Sequence, residues 1–274
     1  MGRVHSSSWK LLLAGIALIS FAWPAGVLAE PAAVPTHFAP FHPDPPYPYR
    51  DSVGVLVRFK SSPEVVRSLV PAPLVPNADG VMFFFIGRQN STNLGRYHEA
   101  ILGIPVSLNG RQGGLALVTY LDEPVPLATG RERGGWNKKD ARFTFVEKEG
   151  VVTATMERAG TVLARVTMRL EKPVQQQALE KAPAALYYNL KLIPSATGRG
   201  TPDVAKITAT TPANRKVKKA FVGAATIEFG AGPADPLKTF PVLTVLGAQY
   251  SVSDFDLVGA EVVHDYLKTE TALR

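Results

Sequence analysis

Apolar residues recur at every second position over much of the chain. Val53, Val55 and Val57 alternate with Gly54, Leu56 and Arg58, and Val162, Ala164, Val166, Met168 and Leu170 alternate with Leu163, Arg165, Thr167 and Arg169. A period of two puts one set on each face of a strand. Residues 81–86 are a continuous apolar run of the kind a short buried strand shows, and residues 115–120, 142–146 and 151–156 are further strand-like runs, with turn residues between them. Many short strands punctuated by Gly, Pro and Asn predict a mainly β, α+β domain, a barrel or a sandwich. Helical signals are few. Ser61 or Ser62 caps a predicted helix over residues 63–70, with Pro63 in its first turn and Pro71 stopping it. Residues 258–267 form a second short piece. No repeat or mid-chain linker divides the body, so residues 49–274 read as one domain.

The pattern ahead of that body is different. Arg3 and Lys10 precede an apolar run over residues 11–22, Pro24 and Gly26 break it, and Val27-Leu28-Ala29 follows. The run is too short to span a hydrocarbon layer of roughly 30 Å as a helix. Its order predicts a secretory signal over residues 1–29, cleaved after Ala29. Residues 30–48 hold Pro31, Pro35, Pro40, Pro43, Pro45, Pro46 and Pro48, which forbid helix or central strand and predict an extended arm. No later segment is long and apolar enough to be transmembrane. The expectation is an exported, periplasmic or secreted chain with no membrane partner once the signal is removed.

Composition narrows the chemistry. The 274 residues include no cysteine, which excludes disulfides, thiolate metal sites and Cys nucleophiles. The formal charge is +7, from 30 Lys and Arg against 23 Asp and Glu. These cations are scattered, which argues against a nucleic-acid partner. The densest run, Arg215, Lys216, Lys218 and Lys219, reads as a solvated strand end or loop, with a polyanion site as the alternative. Dinucleotide, P-loop, zinc-protease and nucleophile-elbow motifs are absent. His37, His42, His98 and His264 lack ligand spacing, so no metal is predicted. Asp254 and Asp256 could meet a hard cation, but two carboxylates in a loop are expected to face solvent.

One set of elements is distinctive. Gly95-Arg96-Tyr97-His98-Glu99-Ala100 is followed by Gly103-Ile104-Pro105-Val106-Ser107 and Asn109-Gly110; then come Gly130-Arg131-Glu132 and Gly135-Trp136-Asn137-Lys138-Lys139. Tyr188-Asn189-Leu190-Lys191-Leu192-Ile193-Pro194 and residues 261–267 complete it. In this order and spacing the chain resembles the acetoacetate decarboxylase family, from about Tyr49 to Leu267. The resemblance implies a cone-shaped antiparallel β-barrel with a few flanking helices, assembled as a homo-oligomer. It implies a cofactor-free carbon–carbon lyase acting on a small keto acid through a lysine Schiff base. The nucleophile falls on Lys138, the second lysine of the pair on Lys139, the glutamate of the YxE element on Glu99 and the first-strand arginine on Arg50. A second glutamate usual in the family falls, by spacing, on Phe84, and the proline usual before the lysine pair is Asn137.

The chemistry explains those residue types. Loss of CO2 from a β-keto acid leaves a carbanion equivalent, and a conjugated iminium nitrogen accepts its electrons without a metal or organic cofactor. The attacking amine must be neutral. An ordinary lysine, with pKa about 10.4, is neutral in only about one molecule in 2,500 at pH 7. Apolar walls or a nearby cation shift that balance, and acetoacetate decarboxylase is itself a standard example of an activated lysine. Adjacent strand residues face opposite ways, so Lys139 is a poor neighbour for Lys138, and desolvation by Phe83, Phe84, Phe85 or Trp136 is the expected cause. Arg50 would hold the carboxylate and Glu99 would move a proton. Periodicity through residues 138–146 groups Lys139 with Ala141, Phe143 and Phe145, so alternation alone leaves open which lysine faces a pocket. Two other readings stay open: a non-catalytic barrel binding a carboxylate or apolar ligand, and a Schiff-base aldolase-dehydratase.

Overall fold

The computed structural model describes residues 42–175 and 185–271. The predicted signal and residues 30–41 of the arm lie outside them. The strands, in chain order, are β1 Tyr47–Lys60, β2 Val75–Pro76, β3 Val81–Ser91, β4 Gly95–Leu108, β5 Arg111–Leu121, β6 Lys138–Asp140, β7 Arg142–Lys148, β8 Val151–Arg158, β9 Thr161–Arg169, β10 Lys172–Pro173, β11 Tyr187–Ile193, β12 Val204–Thr210, β13 Pro212–Gly223, β14 Ala225–Phe229, β15 Thr244–Leu257 and β16 Glu261–Asp265. Short helices α1 Pro63–Ser68, α2 Pro124–Thr129 and α3 Tyr266–Thr271 accompany them, and α2 runs into a wide π turn, Gly130–Gly134.

Two sheets result. The large one follows the order β10-β13-β15-β1-β3-β4-β5-β11-β12-β16, with β2 on β4 and β6 on β5; the small one is β14-β9-β8-β7. Pairing is antiparallel except where β11 and β6 run parallel to β5. The expected mainly β architecture with a few short helices is present. The expected closed barrel is not: the hydrogen-bonded path of the large sheet ends at β10 and β16 without joining. Tight hairpins set the register. Asn109-Gly110, Glu149-Gly150 and Ala159-Gly160 each have two consecutive positive φ angles, the backbone of a two-residue turn that matches strand twist.

Alternation sorts the side chains of the large sheet between two faces. Val55, Val57 and Phe59 of β1, Met82, Phe84 and Ile86 of β3, and Ala100, Leu102 and Ile104 of β4 are all buried in one core. Val152, Ala154 and Met156 of β8 and Ala164, Val166 and Met168 of β9 meet them from the small sheet. Burial of such side chains is worth about 1.5–3 kcal/mol each and is the main driving force for this packing. The intervening residues of β1, β3 and β4 face the other way, towards the cavity described below.

The helical expectations shift at their ends. α1 stops at Ser68 and not at residue 70, because proline at position 71 disfavours the helical conformation for the residue before it. The predicted piece at 258–267 divides. Residues 261–265 extend to pair with β12, and helix begins only at Tyr266.

Asp235 ties the two sheets together. Its carboxylate accepts from Tyr120 Oη at 2.8 Å, Lys139 Nζ at 2.7 Å and Arg158 at 2.8 Å, and the residue is 3% exposed. Burial raises its pKa, but donation from Lys139, Tyr120 and Arg158 outweighs that and holds it below the usual carboxylate value. The associated stability is present above pH about 3.9 and is lost as pH falls through the lowered folded value. Asp235→Ala is expected to destabilise by about 3 kcal/mol, since two cations and a phenol lose their partner. Urea unfolding at neutral pH checks this, and the difference from wild type should shrink on acidification.

Candidate active site

A cavity of about 390 Å³ opens on the side of the large sheet away from the core. Gly54 and Leu56 of β1, Phe85 and Gln89 of β3, and Glu99 and Ile101 of β4 line one wall. Arg215 of β13, Gln249, Ser251 and Ser253 of β15, and Tyr187 of β11 also line it, so the large sheet curls round the space. α2 and the π turn close another side with Pro126, Thr129, Gly130 and Arg133, followed by Trp136 and Lys138.

Lys138 and Glu99 meet inside. Lys138 Nζ lies 3.1 Å from Glu99 Oε1 and donates to the Pro126 carbonyl at 3.0 Å. Both residues are buried, at 8% and 7% exposure. Gln89 Nε2 donates to the other oxygen of Glu99 at 3.3 Å, while Gln89 Oε1 is buried without a hydrogen-bond partner. The ammonium also stands 5.8 Å from the centre of the Tyr97 ring. Gly130 makes room for the lysine: a β-carbon there would lie 2.4 Å from Lys138 Cε and 2.9 Å from Nζ.

Tyrosines provide neutral polar groups beside this pair. Tyr49 and Tyr97 share a hydrogen bond of 2.8 Å. Burial, reinforced by charge on neighbouring groups, pushes both hydroxyls well above the ordinary phenol pKa. Burial and the Glu99 charge push Tyr187 up to about 12, against the opposing pull of Arg215. All three therefore keep their protons at neutral pH and can donate hydrogen bonds.

The structure brings together Lys138, Glu99 and Trp136. Trp136 lines the cavity and packs on Tyr187 at a ring separation of 5.3 Å. Three expected site residues lie elsewhere. Lys139, on the opposite side of β6, donates to Asp235 and the Ala234 carbonyl. Strand alternation separates the two lysines, and the chain is irregular at Ala141 as it passes to the small sheet, so the face pattern from 142 onward says nothing about 138. Arg50 is half-exposed and binds Asp256 at 2.8 Å and the carbonyls of Tyr49 and Phe255. The β1 register is broken between Tyr49 and Ser52, with Asp51 at φ 54°, and it is Tyr49 that turns inward. Phe84 is fully buried in the inter-sheet core against Phe229. Its neighbour Phe85 takes the cavity side.

Of the phenylalanines expected as dry walls Phe85 lines the cavity, and Gln89, which the sequence reading missed, follows from alternation once Gly87 is known to oppose Glu99. Arg215 was masked by its basic neighbours. It faces inward, whereas Lys218 pairs with Asp51 and Asp254, and Lys219 with Glu147. The run is thus divided between two faces and does not form one basic patch. Asp254 and Asp256 are engaged by Lys218 and by Arg50 with Asn214. Among the described residues no group of three His, Cys, Asp or Glu is placed to hold a metal ion, and no helix is long and apolar enough to cross a membrane.

Comparison with known proteins gives consistent matches. The family model described as acetoacetate decarboxylase (ADC) matches residues 33–267. The acetoacetate decarboxylase of Burkholderia cenocepacia is 32% identical over 245 residues, covering 89% of this chain and 98% of that protein. Acetoacetate decarboxylase 2 of Mesorhizobium japonicum is 30% identical over 230 residues, covering 84% and 87%. Among solved structures, the acetoacetate decarboxylase of Legionella pneumophila superposes with a TM-score of 0.80 at 23% identity, covering 96% of this chain and all of that one. MppR, an enduracididine biosynthesis enzyme complexed with pyruvate, superposes with a TM-score of 0.72 at 16% identity, covering 85% and 95%.

Proposed function

Because the chain belongs to the acetoacetate decarboxylase family and is a carboxy-lyase, we propose that it releases CO2 from a small β-keto acid through an imine on Lys138. The observation that carries this reading is the buried Lys138–Glu99 pair, 3.1 Å apart inside a largely apolar cavity. At 3.1 Å, Glu99 is placed to take a proton from the Lys138 nitrogen, which frees its lone pair for attack. The amine nitrogen then adds to the keto carbon, and loss of water gives the iminium. The bond to the carboxylate breaks, CO2 leaves, and the electron pair moves to nitrogen as the enamine. Glu99, having given its first proton to the departing water, takes from solvent the one proton that the overall reaction consumes and delivers it to the enamine carbon, and water hydrolyses the new iminium to free the ketone and Lys138.

The carboxylate needs a cationic partner until it departs. Arg215 and Arg133 line the cavity and Arg50 does not; the Arg215 charge acts on the Tyr187 hydroxyl, which also feels Glu99, so we assign this role to Arg215. Arg215→Met is expected to raise KM about tenfold or more, the value of a charge-assisted hydrogen bond. Arg50→Met should leave KM within about threefold. Steady-state CO2 release by both variants checks the contrast.

Borohydride reduction in the presence of acetoacetate is expected to trap a covalent adduct on the Lys138 peptide, read by mass spectrometry. An adduct on Lys139, or none at all, overturns the reading. Export is part of the proposal, supported by the basic, apolar and small-residue order of residues 1–29 and by a family match that begins only at residue 33. Edman sequencing of the secreted or periplasmic product should begin at Glu30.

A further inference from the structure

The cavity holds more than a four-carbon acid, and the extra space is apolar and adjoins the reactive pair. Strand register divides the β1–β3–β4 wall into two levels. At the reactive level Gly54 opposes Gly87, and Gly87 opposes Glu99. At the next level Leu56 opposes Phe85, and Phe85 opposes Ile101. All three of these side chains line the cavity, and Trp136 and Tyr187 face it too. The two levels are about 7 Å apart along the strands.

The glycine pair shapes the floor. A β-carbon at Gly54 would lie 2.3 Å from the Phe85 ring, and one at Gly87 3.0 Å from it. The ring is therefore laid directly on bare backbone, in space that a side chain at either glycine would take. Phe83 supports it from the same side, packed in a cluster with Ile101 and Ala116. The result is a flat aromatic surface next to Glu99, with Trp136 two residues along its own chain from Lys138.

Volume sets the size of what could lie there. A cavity of about 390 Å³ falls within the range of about 300–1,000 Å³ typical of sites for drug-sized ligands and is larger than a four-carbon acid needs. An apolar cavity of about 150 Å³ already holds benzene. The space beyond the reacting carbons therefore suits a tail of about six to eight carbon atoms.

We infer that the preferred substrate is a β-keto acid bearing an apolar or aryl tail, seated on Phe85 and flanked by Leu56, Ile101, Trp136 and Tyr187. This rests on the lyase reading of Lys138 and names the substrate class of the same site. Each buried methylene contributes about fourfold in binding, so preference should climb along a homologous series.

The test compares kcat/KM for acetoacetate, 3-oxohexanoate, 3-oxooctanoate and 5-phenyl-3-oxopentanoate, with borohydride trapping run alongside. At least tenfold higher kcat/KM is expected for the two largest acids than for acetoacetate. Equal or lower values, with acetoacetate still trapped on Lys138, overturn the inference and leave the lyase reading intact. Failure of every acid to trap on Lys138 removes the lyase reading and the inference with it. Leu56→Trp narrows the apolar level, and the ratio of kcat/KM for 3-oxooctanoate to that for acetoacetate is expected to fall at least tenfold. An unchanged ratio in a variant whose circular dichroism matches wild type means the tail does not run along this wall, and the inference fails.

Discussion

Lys138→Ala is expected to lower kcat/KM for β-keto acid decarboxylation by at least about 10⁴-fold, as removal of a covalent nucleophile does elsewhere. The geometry gives no substitute. Lys139 is held by Asp235 on the far side of β6, and the cationic groups that line the cavity besides Lys138 are guanidiniums, which cannot lose a proton to become nucleophiles. The same variant carries a structural signature. Glu99, 7% exposed, would keep only the amide of Gln89 as a charged-state partner. Leaving a buried carboxylate unpaired costs about 3 kcal/mol. Adding Glu99→Gln should restore part of that stability and none of the activity. Residual CO2 release within a hundredfold of wild type would place the nucleophile elsewhere.

Gly130→Ala separates positioning of the amine from its presence. Gly130 sits at the end of α2 with φ −65° and ψ −42°, so its backbone already has a right-handed helical conformation. Alanine is expected to leave stability unchanged or raise it by about 0.5–1 kcal/mol. The new methyl group would nevertheless occupy the space of Lys138 Cδ and Cε, at 2.6 and 2.4 Å. Those atoms are flexible and will move, carrying the nitrogen away from Glu99. Displacement by about 1 Å is enough to cost about 100-fold in kcat/KM. A variant with unaltered or higher melting temperature, a weaker borohydride adduct and a hundredfold loss of turnover is the expected outcome. Activity within about threefold of wild type would show that the amine tolerates the shift.

Much of this was legible in the chain, and the failures have local causes. Alternation identified the strands around Val53 and Val162 because one face of each is buried against a second sheet and the pattern cannot slip, and the strand at Val81 showed as an unbroken apolar run because both its faces are covered. Alternation left the choice between Lys138 and Lys139 open, because one strand continued through residues 138–146 groups Lys139 with the apolar residues, whereas the backbone leaves the large sheet at Ala141 and enters the small one as β7. The family resemblance located Lys138 and Glu99 because the two elements that carry them are distinctive in order and spacing. Arg50 came from the resemblance and Phe84 from spacing, and neither counts faces. A register break between Tyr49 and Ser52 leaves Tyr49 on the cavity and Arg50 on Asp256, and plain alternation gave the cavity to Phe85. Closure of the sheet was beyond the sequence, since it depends on whether two distant edge strands meet.

The short strand carrying the amine has a further consequence. β6 is held on β5 by three cross-strand partners, Lys138 opposite Thr119, Lys139 opposite Tyr120 and Asp140 opposite Leu121. Each place along β5 dictates which way its visitor's side chain points. Losing one residue from the connection Gly135–Asn137 would slide Lys139 into the seat opposite Thr119 and Asp140 into the seat opposite Tyr120, giving the cavity a different lysine and Asp235 an acidic neighbour. The length of that three-residue tether therefore selects the reacting nitrogen as firmly as the identity of the residue that bears it.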